Sequence, residues 1–257
     1  MRFTSQTSSN GVIERDFILG EVPGVLFSPE SGSDHAPLIL MAHGGGQHKK
    51  APGLVARAHH YVTTCGFTVA SIDAPGHGDR PRNAQDQQWV TALLQARTAG
   101  QPLGPIIEDY NTSLVDRAVP EWQATMDALQ ALPEIGTEAS IGYGGMTLAS
   151  AIGLPLTAID SRITAAVFGG VFVYDALTEA AGRITIPIEF LLPWDDEEIA
   201  RETGLALFDA FASKEKTLRA NPGSHHRVPL FETDNTARFY ARHLDGHPRV
   251  SKWTSWR

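Results

Sequence analysis

Several features that define whole classes of proteins are scarce or absent in this sequence. Cys65 is the only cysteine among 257 residues, so an internal disulfide framework is excluded, as is usual in a reducing compartment. No stretch reaches the ~18 uninterrupted apolar residues that a membrane-spanning helix needs, and residues 1–17 contain no apolar core of a secretion signal. We therefore expect a soluble, cytoplasmic protein that does not enter membranes.

Basic runs, phosphate-binding motifs and metal-binding patterns are missing as well. The chain has 21 Lys and Arg against 29 Asp and Glu, and this net charge of -8 disfavours a nucleic-acid partner. The stretch "HGGGQHKK" lacks the spacing of a phosphate-binding G-x-x-x-x-G-K-[ST] loop. The pairs His59–His60 and His225–His226 are adjacent in sequence, and neighbouring side chains rarely point at one ion. We expect no metal and no cofactor.

Strand-like and helix-like segments alternate along the chain, which has the length of one α/β domain spanning residues 1–257. The stretch "VIERDFILGEVPGVLFSPE" predicts two antiparallel strands around a Gly/Pro break. Short apolar runs such as "APLILMAH", "FTVASIDA" and "IPIEFLLP" predict strands buried on both faces, with helices between them. The whole pattern predicts about eight strands in one mostly parallel sheet flanked by helices.

One segment, from Arg80 to about Val119, interrupts this alternation with helical pieces and loops but no convincing strand. It is too long for an ordinary connection, so it predicts a lid or small insertion, residues 80–119, over the strand ends. A single extra surface helix with a long loop fits the segment equally well. The apolar residues of a lid would line a hydrophobic pocket or pack within the lid itself: Trp89, Leu93, Leu94, Ile106 and Ile107.

The stretch "GYGGMTLAS" joins a predicted strand to an Ala- and Leu-rich helix, which is how hydrolases display a nucleophile. The pattern G-x-nucleophile-x-G fits it in two registers. One register, with Gly142, Gly144 and Met146, leaves no nucleophile. The other places Thr147 between Gly145 and Ala149, small residues that allow strand and helix backbones to approach closely. This second register is favoured, and it sets the Leu148 amide at the helix amino terminus beside the hydroxyl.

Three further motifs follow other predicted strands, and the carboxyl ends of parallel strands meet at one edge of a sheet. "HGGG" contains glycines at 44–46, whose backbone N–H groups can stabilise an oxyanion, although a tight turn also explains them. "WDDE" supplies Asp195 and Asp196, either of which can orient a histidine. "GSHHRVP" supplies His225 and His226 in a glycine-containing loop. Nucleophile, acid and base therefore occur in the chain order of a hydrolase triad.

With "HGGG", "DAPGHGD", "WDDE" and "GSHHRVP", the chain resembles an α/β-hydrolase over most of its length. It is most similar to the branch of dienelactone hydrolases and prolyl-oligopeptidase-like esterases. The resemblance implies hydrolysis of carboxylic esters or lactones through an acyl-enzyme. It places Thr147 at the nucleophile position, the second aspartate, Asp196, as the acid, and His225 as the base with His226 in reserve.

The resemblance also implies the groups that surround the triad. The oxyanion donors would be the amides of Gly45 and Leu148, with Gly44 as the alternative to Gly45. Next to the acid, Trp194 is a candidate for lining the substrate pocket. The expected partner is a small-molecule ester or lactone, and a homodimer is left open.

Threonine departs from the serine of that family. The nucleophile is held at positive φ, which is costly for a β-branched residue, and the extra methyl group restricts where the hydroxyl can point. Three hypotheses remain: a hydrolase that uses Thr147; a weak or inactive homologue that binds a small molecule or catalyses a non-hydrolytic reaction; and an engineered Ser-to-Thr variant of a serine esterase. We favour the first, because acid, base and oxyanion donors are all retained.

Overall fold

A nine-stranded sheet crosses the computed structural model, which describes residues 1–32, 35–224 and 228–244. The strands are β1 Arg2–Ser9, β2 Val12–Leu19, β3 Val22–Pro29, β4 Leu38–Met41, β5 Thr68–Ile72, β6 Ile141–Gly144, β7 Ile163–Gly169, β8 Ile188–Pro193 and β9 Lys216–Asn221. Their order across the sheet is β1-β2-β3-β5-β4-β6-β7-β8-β9. Strands β1, β2 and β3 form an antiparallel meander, β3 pairs antiparallel with β5, and all remaining neighbours are parallel.

The mostly parallel sheet predicted from the sequence is confirmed, with one strand more than the eight expected. The additional strand is β1, whose sequence "RFTSQTSS" leaves nearly every side chain exposed. A buried strand is recognised in a sequence by its apolar residues. In β1 the only apolar residue is Phe3, and it is only partly buried. Backbone pairing with β2 holds it at the edge of the sheet.

Helices cover both faces of the sheet. They are α1 Pro52–Cys65, α2 Ala84–Thr98, α3 Gly104–Gln130, α4 Leu148–Ile159, α5 Asp175–Ala181, α6 Arg201–Ala210 and α7 Phe231–His243. Helices α1 and α7 pack with one buried cluster, and α3 to α6 pack with the other. None of the described helices combines the length and the apolar character that crossing a lipid bilayer requires.

The segment predicted as a lid folds into α2 and the first part of α3. Helix α2 begins with a capping box in which Asn83 and Asp86 bond each other's backbone N–H groups. Asp86 also binds Arg117 of α3 at 2.6 Å, which fixes the two helices together. The predicted limit near Val119 falls inside α3, because this helix continues through Pro120 into the body of the domain.

Candidate active site

Thr147 lies at the sharp junction between β6 and α4. Its φ of 59° and ψ of −120° lie far from helix and strand, and it is the only β-branched residue among the described non-glycine residues with positive φ. Its N–H donates to the carbonyl oxygen of Gly169 at 3.0 Å. A Cβ atom on Gly145 would stand 2.2 Å from the Cβ of Ala149, so only glycine fits where strand and helix meet. This is the close approach that the favoured register requires.

Gly142 and Gly144, which belong to the register without a nucleophile, have a packing role. A Cβ atom on Gly142 would lie 2.9 Å from the ring of Tyr240 in α7, and one on Gly144 would lie 2.4 Å from the Tyr240 hydroxyl. That hydroxyl donates to the carbonyl oxygen of Tyr143 at 2.6 Å, and Tyr240 is 1% exposed. Both glycines therefore make room for an aromatic ring that fixes the strand below Thr147.

The Thr147 hydroxyl faces the glycine loop that follows β4. A Cβ atom on Gly44 would lie only 2.8 Å from Thr147 Oγ1, so a side chain at position 44 would displace the hydroxyl. Thr147 itself is partly exposed and lines a cavity together with Gly44, Gly45 and Leu148. The loop predicted to carry oxyanion donors thus lies directly against the predicted nucleophile.

His43 fixes the orientation of this loop. The Ala74 N–H donates to His43 Nε2 at 3.0 Å, so the ring proton is on Nδ1, which donates to the Gly44 carbonyl oxygen at 2.9 Å. Burial lowers the pKa of His43 to about 4, which keeps the ring neutral. Because C=O and N–H of one trans peptide point in opposite directions, the Gly45 N–H points away from the His43 ring. No hydrogen-bond acceptor among the described residues meets the N–H of Gly45 or Leu148.

The two aspartates after β8 have different surroundings. Asp195 is exposed, and it exchanges two hydrogen bonds with Gly223 in the loop after β9: its N–H donates at 3.1 Å and its Oδ2 accepts at 3.0 Å. Asp196 is partly buried, and its Oδ1 accepts the N–H groups of Glu198 and Ile199 at 2.9 and 3.1 Å. Asp195 therefore anchors the neighbouring loop, whereas the carboxylate of Asp196 is oriented by its own turn.

The predicted bases, His225 and His226, lie outside the described residues. The start of their loop is held from two sides. Glu232, 4% exposed in α7, accepts a hydrogen bond from the Asn221 side chain at 2.7 Å, and Asp195 holds Gly223. The end of β9 is thereby fixed next to the end of β8, where Asp196 lies.

The cavity at Thr147 has a volume of about 620 Å³ and extends to both faces of the sheet. On the face of α2, α3 and α4, its wall includes Val90, Leu93, Leu114 and Val171. On the face of α1 and α7, its wall includes Met41, Tyr61, Val167 and Tyr240. Thr147 lines this cavity directly after the carboxyl end of β6.

Solved structures of esterases share this architecture over almost the whole chain. A cold-adapted esterase from an Arctic intertidal metagenomic library, solved in complex with PEG, is 30% identical, with 95% of this chain and 100% of that chain covered and a TM-score of 0.75. This chain belongs to the α/β-hydrolase esterases.

More distant structures share the fold. The acetyl xylan esterase of Paenibacillus sp. R4 is 16% identical, covering 95% of this chain and 88% of that one at a TM-score of 0.68. Acetyl xylan esterase 1 of Thermoanaerobacterium sp. JW/SL YS485 is 14% identical, covering 94% and 87% at a TM-score of 0.68. No family model matches the chain, and no curated protein matches it.

The residues predicted to line the pocket of this α/β-hydrolase divide into two groups. Leu93, Leu94 and Ile107 line the cavity, so α2 and α3 contribute to its wall. Trp194 and Ile106 are not among the described lining residues. The Trp194 ring is 40% exposed and lies 4.5 Å from the Arg201 guanidinium, on the outer side of the loop after β8.

Trp89 supports the wall of the cavity by packing against Tyr110. Its ring stacks on Tyr110 of α3, with 5.5 Å between the ring centroids and an angle of 26°, and Tyr110 lines the cavity. Arg97, near the end of α2, also lines the cavity and binds Glu198 with two contacts of 3.0 and 3.1 Å. This ion pair joins α2 to the turn that carries Asp196.

An ionic network formed by the buried Lys49 and Asp73 with the exposed Asp79 was not found from the sequence. Lys49 contacts Asp73 at 2.7 Å and Asp79 at 2.6 Å, while the Lys49 N–H also donates to Asp73. Burial alone would raise the pKa of Asp73, but hydrogen bonds from Lys49 hold it below its ordinary value. Lys49 belongs to the motif "HGGGQHKK", and Asp73 and Asp79 belong to "DAPGHGD". The spacing of the two motifs in the sequence does not show that this lysine is buried against Asp73.

Proposed function

We propose that this protein hydrolyses carboxylic esters or lactones through an acyl-enzyme on Thr147. The observation that carries the proposal is the position of the Thr147 hydroxyl, at a strained strand–helix junction, against the Gly44 loop and inside a cavity. The esterase relatives support the same reaction class. Strained backbone conformations cluster at functional sites, so the positive φ of the β-branched Thr147 supports a functional role for it.

In the proposed mechanism, His225 removes the proton from Thr147 Oγ1 while this oxygen attacks the ester carbonyl carbon. The tetrahedral oxyanion accepts hydrogen bonds from the Gly45 and Leu148 N–H groups, both of which lack an acceptor among the described residues. His225 then protonates the leaving alcohol. Water, deprotonated by His225, releases the acid and regenerates the Thr147 hydroxyl. Asp196 orients the imidazole throughout.

Ser150 is the nearest alternative hydroxyl in sequence, and its contacts argue against it as the nucleophile. It is fully buried in α4, its Oγ lies 2.8 Å from the Gly145 carbonyl oxygen, and it accepts the Gly169 N–H at 2.9 Å. A serine whose hydroxyl is bound to the backbone of the elbow and of β7 supports the junction instead of reacting. This leaves Thr147 as the partly exposed hydroxyl on the elbow.

Several finer features belong to the same proposal. The motifs "HGGG", "WDDE" and "GSHHRVP" favour the branch of dienelactone hydrolases and prolyl-oligopeptidase-like esterases. We propose one domain over residues 1–257, with residues 80–119 contributing the lid, acting in the cytoplasm on a small-molecule ester or lactone. A homodimer is compatible with this function but not needed by it.

Mass spectrometry tests the proposal directly. Incubation with p-nitrophenyl acetate followed by rapid acid quenching and peptide mapping should find an acetyl group on Thr147. The Thr147→Ala variant should show neither adduct nor turnover, whereas Ser150→Ala should keep the adduct on Thr147. An adduct on another residue, or a Thr147→Ala variant as active as the parent protein, would refute the proposed nucleophile.

A further inference from the structure

The sheet ends at β1, and the outer edge of this strand is open. Among the described residues, no strand pairs with the side of β1 that faces away from β2. An open edge presents unpaired backbone N–H and C=O groups that can pair with another strand, and proteins usually protect such edges with charged residues or proline. The stretch "FTSQTSSN", residues 3–10, contains neither. The edge is therefore unprotected along most of its length.

The opposite edge of the sheet, β9, is built differently. Its sequence "KTLRAN" contains two cations, Lys216 and Arg219. Charged side chains on an edge strand oppose its pairing with a second strand of the same kind. The two edges of this sheet therefore differ in exactly the property that controls pairing, and β1 is the edge that is able to pair.

The turn between β1 and β2 determines which backbone groups point outwards. Residues 10–11 have positive φ angles of 52° and 80°, and Ser9 pairs with Val12 across them. In a two-residue turn of this type the flanking residues form a hydrogen-bonded pair, so the N–H and C=O of Ser9 point towards β2. Because the direction alternates along a strand, those of Gln6 and Ser8 point to the open edge.

We propose that β1 pairs antiparallel with β1 of a second copy of this chain, with a two-fold axis at Thr7. In this register Thr7 faces Thr7 of the second copy, and Gln6 faces Ser8. Each Gln6–Ser8 pair exchanges both of its N–H···O bonds, because the backbone groups of both residues point to the edge. The register uses residues 5–9, which follow the irregular first part of β1. Every side chain in it is an uncharged serine, threonine or glutamine.

Charge favours a second copy as the occupant of this edge. The protein has a net charge of -8, so two copies repel each other over most of their surfaces. Residues 5–9 carry no charge. Each charged residue of the neighbouring β2 has a partner within the chain: Glu14 and Asp16 contact Lys50 at 2.6 Å each, and Arg15 contacts Glu134 at 2.7 Å. Two such edges therefore meet without an unpaired charge from either strand.

The geometry of the pairing predicts a closed and weak dimer. Each copy has one β1, so the pairing occupies both open edges and cannot continue into a fibre. One pair of edge strands buries less than the roughly 1,200 Å² of a stable complex, so we expect reversible association. Strand β6, which ends before Thr147, is five places from β1 in the sheet. The inference is therefore independent of the proposed function, and each copy keeps a complete site.

Charge exchange at Thr7 provides the first test. In sedimentation velocity from about 5 to about 500 µM, the parent protein should shift reversibly from monomer to dimer. Thr7→Lys and Thr7→Glu should each stay monomeric, because two like charges would face each other across the axis. An equal mixture of the two variants should associate about tenfold or more tightly than either variant alone. Recovery on mixing also separates charge repulsion from misfolding, because a misfolded chain does not recover its partner.

Cysteine cross-linking tests the register. A non-hydrogen-bonded antiparallel pair brings its Cα atoms to about 4.5 Å, within disulfide range, so Thr7→Cys should cross-link under mild oxidation. Ser5→Cys and Ser9→Cys are matched controls, because both positions are exposed on the same face of β1 but stand about 14 Å from their own copies. They should cross-link at least tenfold more slowly. All three variants also carry Cys65→Ser, which removes the native thiol.

Three results would overturn the inference. A parent protein that stays monomeric at about 500 µM would refute self-pairing at this edge. A dimer that persists in both Thr7→Lys and Thr7→Glu would have to form through another surface. Equal cross-linking at positions 5, 7 and 9 would indicate random collision of exposed thiols instead of a fixed register. Ester hydrolysis per chain should be the same in all variants, so a failure of the proposed function would be recognised separately.

Discussion

Replacing Gly44 by alanine should move the Thr147 hydroxyl while leaving the fold intact. The added Cβ atom would stand 2.8 Å from Thr147 Oγ1, whereas ordinary contact begins near 3.4 Å. The hydroxyl must therefore retreat by about 0.6 Å or rotate away. A displacement of roughly 1 Å at a reacting centre can cost about 10² in rate, so we expect kcat/KM to fall by about 10²-fold, or nearly 3 kcal/mol of transition-state stabilisation.

The measurement is steady-state hydrolysis of p-nitrophenyl acetate at pH 7.5, with thermal unfolding of each variant alongside. Because the clash involves the end of one side chain, we expect the melting temperature to change by no more than about 3 °C. Gly45→Ala serves as the control, since its added Cβ atom meets nothing within 4 Å and the N–H is retained. The kcat/KM of Gly45→Ala should fall by no more than about threefold. Equal activities of the two variants would refute the reasoning that Thr147 Oγ1 reacts from this position.

Three further predictions concern the nucleophile, the acid and the buried histidine. Thr147→Ser removes the methyl group and its restriction on the hydroxyl, so kcat/KM for the same ester should rise; a fall would show that the site is built around threonine. Asp196→Asn should lower kcat by roughly 10³ to 10⁴, whereas Asp195→Ala, which only loosens the loop at Gly223, should cost about tenfold; the reverse order would exchange their roles. Burial lowers the pKa of His43 from 6.5 to about 4. As the pH falls, His43 is therefore protonated in the unfolded chain at a higher pH than in the folded protein. The free energy of unfolding should then decrease by up to about 3 kcal/mol between pH 6.5 and 4, and urea unfolding of His43→Gln should show a weaker decrease.

The sequence predicts the sheet well where burial determines the pattern. Strands β4, β5 and β8 are completely buried apolar runs, which are recognisable without knowledge of their neighbours. Strand β1 is polar and is stabilised by backbone pairing with β2. The amino-acid composition of a polar segment does not show that a partner strand pairs with it. The segment from Arg80 to about Val119 was given an end inside α3, because sequence patterns do not show that this helix continues through Pro120.

At the site, sequence order predicts which segments come together but not how each side chain is used. The elbow at Thr147 follows from small residues at fixed spacing, and its positive φ was expected for that reason. The division of work between Asp195 and Asp196 depends on which backbone N–H groups lie nearby, and two adjacent aspartates look alike in sequence. The neutral state of His43 and the unpartnered hydroxyl of Tyr110 arise from burial by distant segments, which no local pattern encodes.

The contact between Tyr240 and β6 has a consequence for the order in which the protein becomes competent during synthesis. Strand β6, which ends just before Thr147, packs against the ring of Tyr240. The Tyr240 hydroxyl donates to the carbonyl oxygen of Tyr143, 97 positions earlier in the chain, and the ring fills the space beside Gly142 and Gly144. A nascent chain that has not yet released α7 from the ribosome therefore has an unsupported elbow. We expect ester hydrolysis to begin only after α7 has left the ribosome and packed against β6.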